Sequence, residues 1–105
     1  MADPLSDPDA AIREARRLAL AWADHMTRDR LRSPHTVRAY LATAHRLLNF
    51  LTPHLGGQVD EAALRALTAG DLRAFLGSRR ADGIGNASAA RELSAVRSFL
   101  GFVHA

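Results

Sequence analysis

The sequence predicts an all-α fold, a bundle of four main helices plus one short helix, and three observations carry that prediction. Apolar residues return at steps of three and four through separate stretches, which lines them along one side of a rod turning about 100° per residue. Cap and stop signals stand between those stretches: Ser33-Pro34, Asp60, Thr68 with Asp71, Gly56-Gly57 and Asp82-Gly83. No segment alternates apolar and polar residues as a half-buried strand would, and there is no internal repeat or low-complexity tract.

Taken in order, residues 1–6 read as a flexible tail. The first helix is expected over about 8–30, opening near Ser6 or Asp7. Pro8 sits in its first turn, where a missing N–H is no loss, and Asp9 lies at the positive end of the dipole. Its inner stripe is Ile12, Ala15, Ala19, Trp22, Ala23 and Met26; the alanines let another helix approach closely and Trp22 anchors the contact. Arg13, Arg17, Asp24 and Arg28 lie outside. Asp24 and Arg28 have the i,i+4 spacing of an ion pair worth a few tenths of a kcal/mol.

The second helix, about 34–51, starts at the N-cap Ser33 with Pro34 in the first helical position. It divides into two flanks. Val37, Tyr40, Leu41, Ala44, Leu47, Leu48 and Leu51 form an apolar stripe, while His35, Arg38, Ala42, His45, Arg46 and Asn49 form a face without a carboxylate. Residues 32–52 hold three arginines and no acid, so the chain's formal charge of +3 is concentrated here and, more weakly, on the last helix. That concentration raises the case for a polyanionic partner above what the total charge alone supports.

Pro53 and the Gly56-Gly57 pair are expected to end this helix and turn the chain. Asp60 caps a short helix over about 61–67 with Leu64 and Leu67 inward. Thr68 and Asp71 have the spacing of a capping box and open a helix over about 69–81, buried through Leu72, Phe75 and Leu76 and closed by Asp82-Gly83. The last helix, about 87–103, opens at Gly85 or Asn86 and buries Ala89, Leu93, Val96, Leu100 and Val103, leaving Ser88, Arg91 and Ser98 outside. Phe99 and Phe102 fall off that stripe and are expected to cover a neighbouring helix or face a partner.

A chain of 105 residues supports one domain with one modest core. No apolar run approaches the roughly 18 residues of a membrane span, and the N-terminus has neither the basic region nor the apolar core of a secretory signal, so a cytoplasmic location without membrane association is expected. The absence of cysteine excludes disulfides and thiolate metal sites, and the five histidines never fall at His-x3-His spacing; no metal or cofactor is expected. Tyr40, the only tyrosine, falls in the second helix's apolar stripe and reads as a core residue with its hydroxyl on a backbone partner. Gly83-Ile84-Gly85 has no strand before it and no lysine after it, which makes it a turn and not a phosphate loop.

Three stretches carry a family resemblance. Ser33-Pro34-His35-Thr36-Val37-Arg38-Ala39-Tyr40 resembles the SPxTxxxY opening of the second helix in the N-terminal core-binding domain of tyrosine recombinases, especially the Xer type. Leu67-Thr68-Ala69-Gly70-Asp71-Leu72-Arg73-Ala74-Phe75-Leu76 is similar to their LTxxDLRxFL, and Leu93-Ser94-Ala95-Val96-Arg97-Ser98-Phe99 to the LSALRSF of their fourth helix. The order and spacing agree over about residues 12–103. His54-Leu55-Gly56-Gly57 and Gly83-Ile84-Gly85-Asn86 lean towards the XerC-like branch.

The resemblance implies a SAM-like core-binding domain, an orthogonal helical bundle forming one half of a clamp around double-stranded DNA, with the second and fourth main helices crossing at the major groove. By position, Ser33, His35, Thr36, Arg38 and Arg46 would meet DNA from the second helix, and Asn86, Ser88 and Arg91 from the last. Arg97 matches a family arginine whose role is structural or interdomain as readily as DNA-contacting. Two departures make the last helix less basic than the family pattern, Ala87 and Glu92 standing where relatives often carry arginine, or at position 92 a neutral residue. DNA affinity is therefore expected to be weak and strongly salt dependent.

The family's catalytic tyrosine, arginines, lysine and histidines belong to a C-terminal domain that would follow Ala105. This chain has no lysine, Tyr40 does not match the nucleophile, and the chain alone is not expected to cleave DNA. The implied setting is strand exchange in chromosome dimer resolution, with sister recombinase subunits touching the ends of the first and last helices and a DNA translocase as a further partner; the isolated domain is expected to be monomeric. A phage or integron integrase and a helical protein-interaction module without a DNA role are the competing readings.

Overall fold

Side-chain caps set where three of the helices begin, and a computed structural model describes the result for residues 8–105. The expected tail at 1–6 and the opening at Ser6 or Asp7 lie outside the described residues. The elements are α1 (Pro8–Arg28), α2 (Pro34–His54), α3 (Glu61–Arg65), α4 (Ala69–Ala81) and α5 (Asn86–His104). No strand occurs among the described residues, and no helix there is long and apolar enough to cross a membrane.

Ser33 Oγ accepts the Thr36 N–H at 3.1 Å to open α2, and Asp60 Oδ1 accepts the Ala63 N–H at 2.8 Å to open α3. At α4 the capping box closes in both directions. Thr68 Oγ1 accepts the Asp71 N–H at 3.2 Å, and Asp71 Oδ2 accepts the Thr68 N–H at 2.9 Å. The N-cap of α5 is Gly85, which offers no side chain, so Asn86 is the first helical residue and not the cap.

The helices form a slab of 45 × 34 × 19 Å, about two helix diameters thick. α1 packs chiefly along α2, and α2 along α5; α3 and α4 close the open side of α5. Ala15, Ala19, Trp22, Ala23 and Met26 of α1 meet Ala44, Leu47, Leu48 and Leu51 of α2 in one core, joined by Val59, Leu64, Phe75, Val96 and Phe99. Trp22 lies at its centre, 5.2 Å from Phe99 and 6.2 Å from Tyr40 between ring centroids, and donates its indole N–H to Ser98 Oγ at 3.1 Å.

Four local expectations are corrected. α1 stops at Arg28, and the chain turns through Leu31 at φ 50, where the Arg32 N–H reaches back to the Met26 carbonyl at 3.0 Å. α2 runs on through Pro53 to His54, because its last turn is held from outside: His54 stacks on Phe50 at 5.0 Å and its Nε2 meets Asp71 Oδ1 at 2.9 Å. A proline there forfeits one backbone bond, which these contacts offset. α5 is rolled relative to its expected stripe: Ala89, Glu92, Ala95, Val96, Phe99 and Val103 are buried, while Leu93 and Leu100 are only half-buried. Phe99 is thus a core residue, and Phe102 covers His25 at 5.5 Å. Tyr40 is half-buried, and its hydroxyl has no hydrogen-bond partner among the described residues.

Candidate nucleic-acid interface

Because α2 and α5 pack together while α4 ends beside them, their outer flanks enclose a cleft of about 440 Å³. His35, Thr36 and Arg46 enter it from α2, and Ser88 and Arg91 from α5. Residues about fifty positions apart in the chain therefore share one depression. The cleft is too small for a duplex and the right scale for a protruding group, while each exposed helix has the roughly 10–12 Å diameter that a major groove about 12 Å wide admits.

The floor is ionic. Glu92 is buried, and Arg79 of α4 donates its Nε–H to both carboxylate oxygens, at 2.9 Å to Oε1 and 3.2 Å to Oε2. Arg46 Nε stands 3.8 Å from Glu92 Oε1, close enough for ionic attraction and too far for a hydrogen bond, and it has no other partner. The hydrogen bond to Glu92 holds the Arg79 pKa above the ordinary arginine value against the opposing effect of burial. Arg46, Arg79 and Arg91 line the cleft with the single carboxylate Glu92, and Arg79 Nη1 also donates to Asp82 Oδ2 at 3.2 Å outside it, so the cleft keeps a positive excess.

The other anticipated contacts lie beside the cleft. Ser33 is committed to capping, since its hydroxyl accepts from the Thr36 N–H and donates to Thr36 Oγ1 at 3.0 Å. Arg38 is exposed on α2 with no partner for its guanidinium among the described residues. Asn86 is exposed at the rim, its Oδ1 accepting from Arg80 Nη1 at 2.7 Å. Arg91 Nη2 donates to Ser88 Oγ at 3.3 Å. Arg97 lies exposed on α5 outside this cleft.

The continuous basic face expected for α2 is shorter than its pattern suggested. His45 and Asn49 turn towards α1, where Arg16 reaches His45 Nδ1 at 3.3 Å and donates to Asn49 Oδ1 at 2.9 Å. Burial and, secondarily, the Arg16 charge hold the His45 pKa below its usual value. Only the N-terminal half of α2 and Arg46 remain directed outward. Sequence reasoning did not find Ala39, Tyr40, Thr43, Arg79, Ile84 or Glu92 as cleft residues; the single apolar Ile84 between two glycines was the one local signal available. No group of three or more His, Asp or Glu side chains that could hold a metal ion occurs among the described residues.

An all-α bundle with a positively charged cleft between two of its helices defines a small helical domain suited to a polyanionic partner. Residues 20–105 match the phage integrase N-terminal SAM-like domain, and the chain belongs to that family. It is similar to a tyrosine recombinase XerC of Nitrobacter winogradskyi, 37% identical over 102 residues, which is 97% of this chain and 32% of the relative. A tyrosine recombinase XerC of a Methylobacterium strain is 43% identical over 94 residues, covering 88% of this chain and 28% of the relative. That of Mesorhizobium japonicum is 39% identical over 83 residues, or 79% and 27%. The chain therefore spans about a third or less of the length of these relatives. No solved structure matches it.

Proposed function

We propose that this domain holds double-stranded DNA through the α2/α5 cleft and serves as the non-catalytic positioning arm of a Xer-type site-specific recombinase. The observation that carries the reading is the convergence of His35, Thr36 and Arg46 with Ser88 and Arg91 around one cleft of positive excess. Arg38 and Asn86 flank it and extend the contact along the duplex, with Ser33 shaping the start of α2. Phosphate contacts made this way fix register, and an arginine that reaches a guanine edge adds sequence discrimination.

The relatives named above are all tyrosine recombinases of the Xer type, which supports that reading over an integrase. In the whole protein the arm would act in the cytoplasm, within an assembly of recombinase subunits that exchanges strands in chromosome dimer resolution, with a DNA translocase as a further partner. The test is an NMR titration of the ¹⁵N-labelled domain with a random-sequence duplex at low and raised salt. Shifts confined to residues 33–46 and 86–91 that fade as salt rises are the expected result. An unresponsive cleft at low salt would leave a protein-interaction module as the better account.

A further inference from the structure

A second cleft, on the other half of α5, has a different chemistry. Arg30 and Arg32 flank the left-handed Leu31 in the turn after α1, and Arg97 stands on α5. All three line a depression of about 470 Å³ between the C-terminal ends of α1 and α5. None of their guanidinium groups has a partner among the described residues, and no aspartate or glutamate side chain lines the cleft, although Asp29 adjoins it through the lining His25, whose Nδ1 it meets at 2.8 Å. The floor is apolar, made by the half-buried Phe102 over the edges of Trp22 and Met26, which are otherwise buried in the core.

The negative end of the α1 dipole accounts for a cation at Arg30, but it does not reach Arg97 in the body of another helix. Three like charges around one depression repel each other and stay solvated until an anion arrives. A phosphate alone would meet the arginines and leave the aromatic floor unused, and an apolar ligand alone would desolvate them without compensation. Both features are satisfied by a chain segment that inserts one apolar side chain and presents carboxylates to the rim. Arginine and tryptophan are the residue types that dominate such contacts, and methionine adapts to the inserted group.

We propose that the α1/α5 cleft docks an acidic polypeptide segment bearing one aromatic or long aliphatic side chain. The site is separate from the α2/α5 cleft and does not depend on the DNA reading. Trp22 is the only tryptophan, and its side-chain N–H, bonded to Ser98 Oγ in the wall of this cleft, gives one resolved resonance that reports on the site when Thr36 and Ser88 stay unmoved. The probe is a terminally blocked pentapeptide of four aspartates around a central phenylalanine, titrated into the labelled domain at low salt.

Saturable shifts at Trp22, Gly101 and Phe102 are expected, with Thr36 and Ser88 unmoved. The same peptide with serine at its centre should bind several-fold more weakly. Arg97→Ala on α5 and Arg32→Ala in the turn after α1, both at exposed positions, should each weaken binding about fivefold, the upper end for an exposed ion pair. Equal binding of the serine peptide would overturn the proposal by reducing the site to diffuse charge. So would the absence of shifts at millimolar peptide, displacement of the peptide by duplex DNA at these same resonances, or movement of them on simple concentration of the domain, which would assign the cleft to a second copy.

Discussion

Glu92 and Arg79, thirteen residues apart, form a forked contact in which one guanidinium N–H is shared by both oxygens of a buried carboxylate. It is the joint between α4 and α5 beneath the cleft. Arg79→Ala leaves Glu92 with Arg46 alone at 3.8 Å, and the loss of a partner from a buried pair should cost about 3 kcal/mol, read as a lower urea midpoint. The double variant Arg79→Met with Glu92→Leu should recover most of that loss, because neither charge is then stranded. A single variant as stable as the parent would show that the pair contributes nothing.

Arg38→Ala and Arg91→Ala are each expected to weaken binding of random-sequence duplex and to lower the slope of log affinity against log salt by about one. Ser33→Ala should behave differently. Its hydroxyl is spent on the α2 cap, so the variant should lose about 1 kcal/mol of stability with the salt slope unchanged. A reduced slope for Ser33→Ala would mean that the hydroxyl also meets phosphate.

Leu31 is 83% exposed and occupies the left-handed region at φ 50, so it carries a conformational cost with little burial in return. Leu31→Gly should raise stability by about 0.5 kcal/mol, the relief of strain exceeding the added freedom of the unfolded chain. Leu31→Ala keeps the Cβ and should leave the melting temperature nearly unchanged. Thermal unfolding of the two variants side by side decides the matter.

His45 has a folded pKa below 6.5, so between that value and its depressed pKa the unfolded chain binds more protons than the folded one. Stability is therefore full above pH 6.5 and declines as the pH falls through the folded value. Arg16→Ala should move the His45 imidazole pKa partly back up, followed by NMR of its ring protons. The larger effect, burial, stays in place, so full restoration to 6.5 would contradict the stated order of causes.

What could be read in advance was local. The α1 stripe from Ala15 to Met26 and the Thr68 to Asp71 capping box depend on neighbours three or four positions away, and the sequence displays those directly. The roll of α5 was hidden because Glu92 counts as a surface residue until Arg79, on another helix, is brought beneath it. The shortened basic face of α2 has the same origin: Arg16, 29 residues from His45 and 33 from Asn49, claims two members of the outward set. The end of α2 was misplaced because Pro53 was judged by its own backbone, without the ring of Phe50 and the carboxylate of Asp71. Of the eight anticipated contact residues, five share the cleft and three stand beside it, which single-helix periodicity could not separate.

Asp71 closes the start of α4 with one oxygen and receives His54 at the finish of α2 with the other. Its carboxyl pKa lies below the usual range, first through the Thr68 N–H and then through His54 and the Thr68 hydroxyl, so both ties persist above pH 3.8 and loosen together in more acidic solution. A single side chain thus works as a rivet between two rods, each of which coils without it. Drawing that rivet would leave the far-ultraviolet spectrum almost untouched while letting the rods swivel, so the angle between them is the quantity to measure in an Asp71→Asn protein.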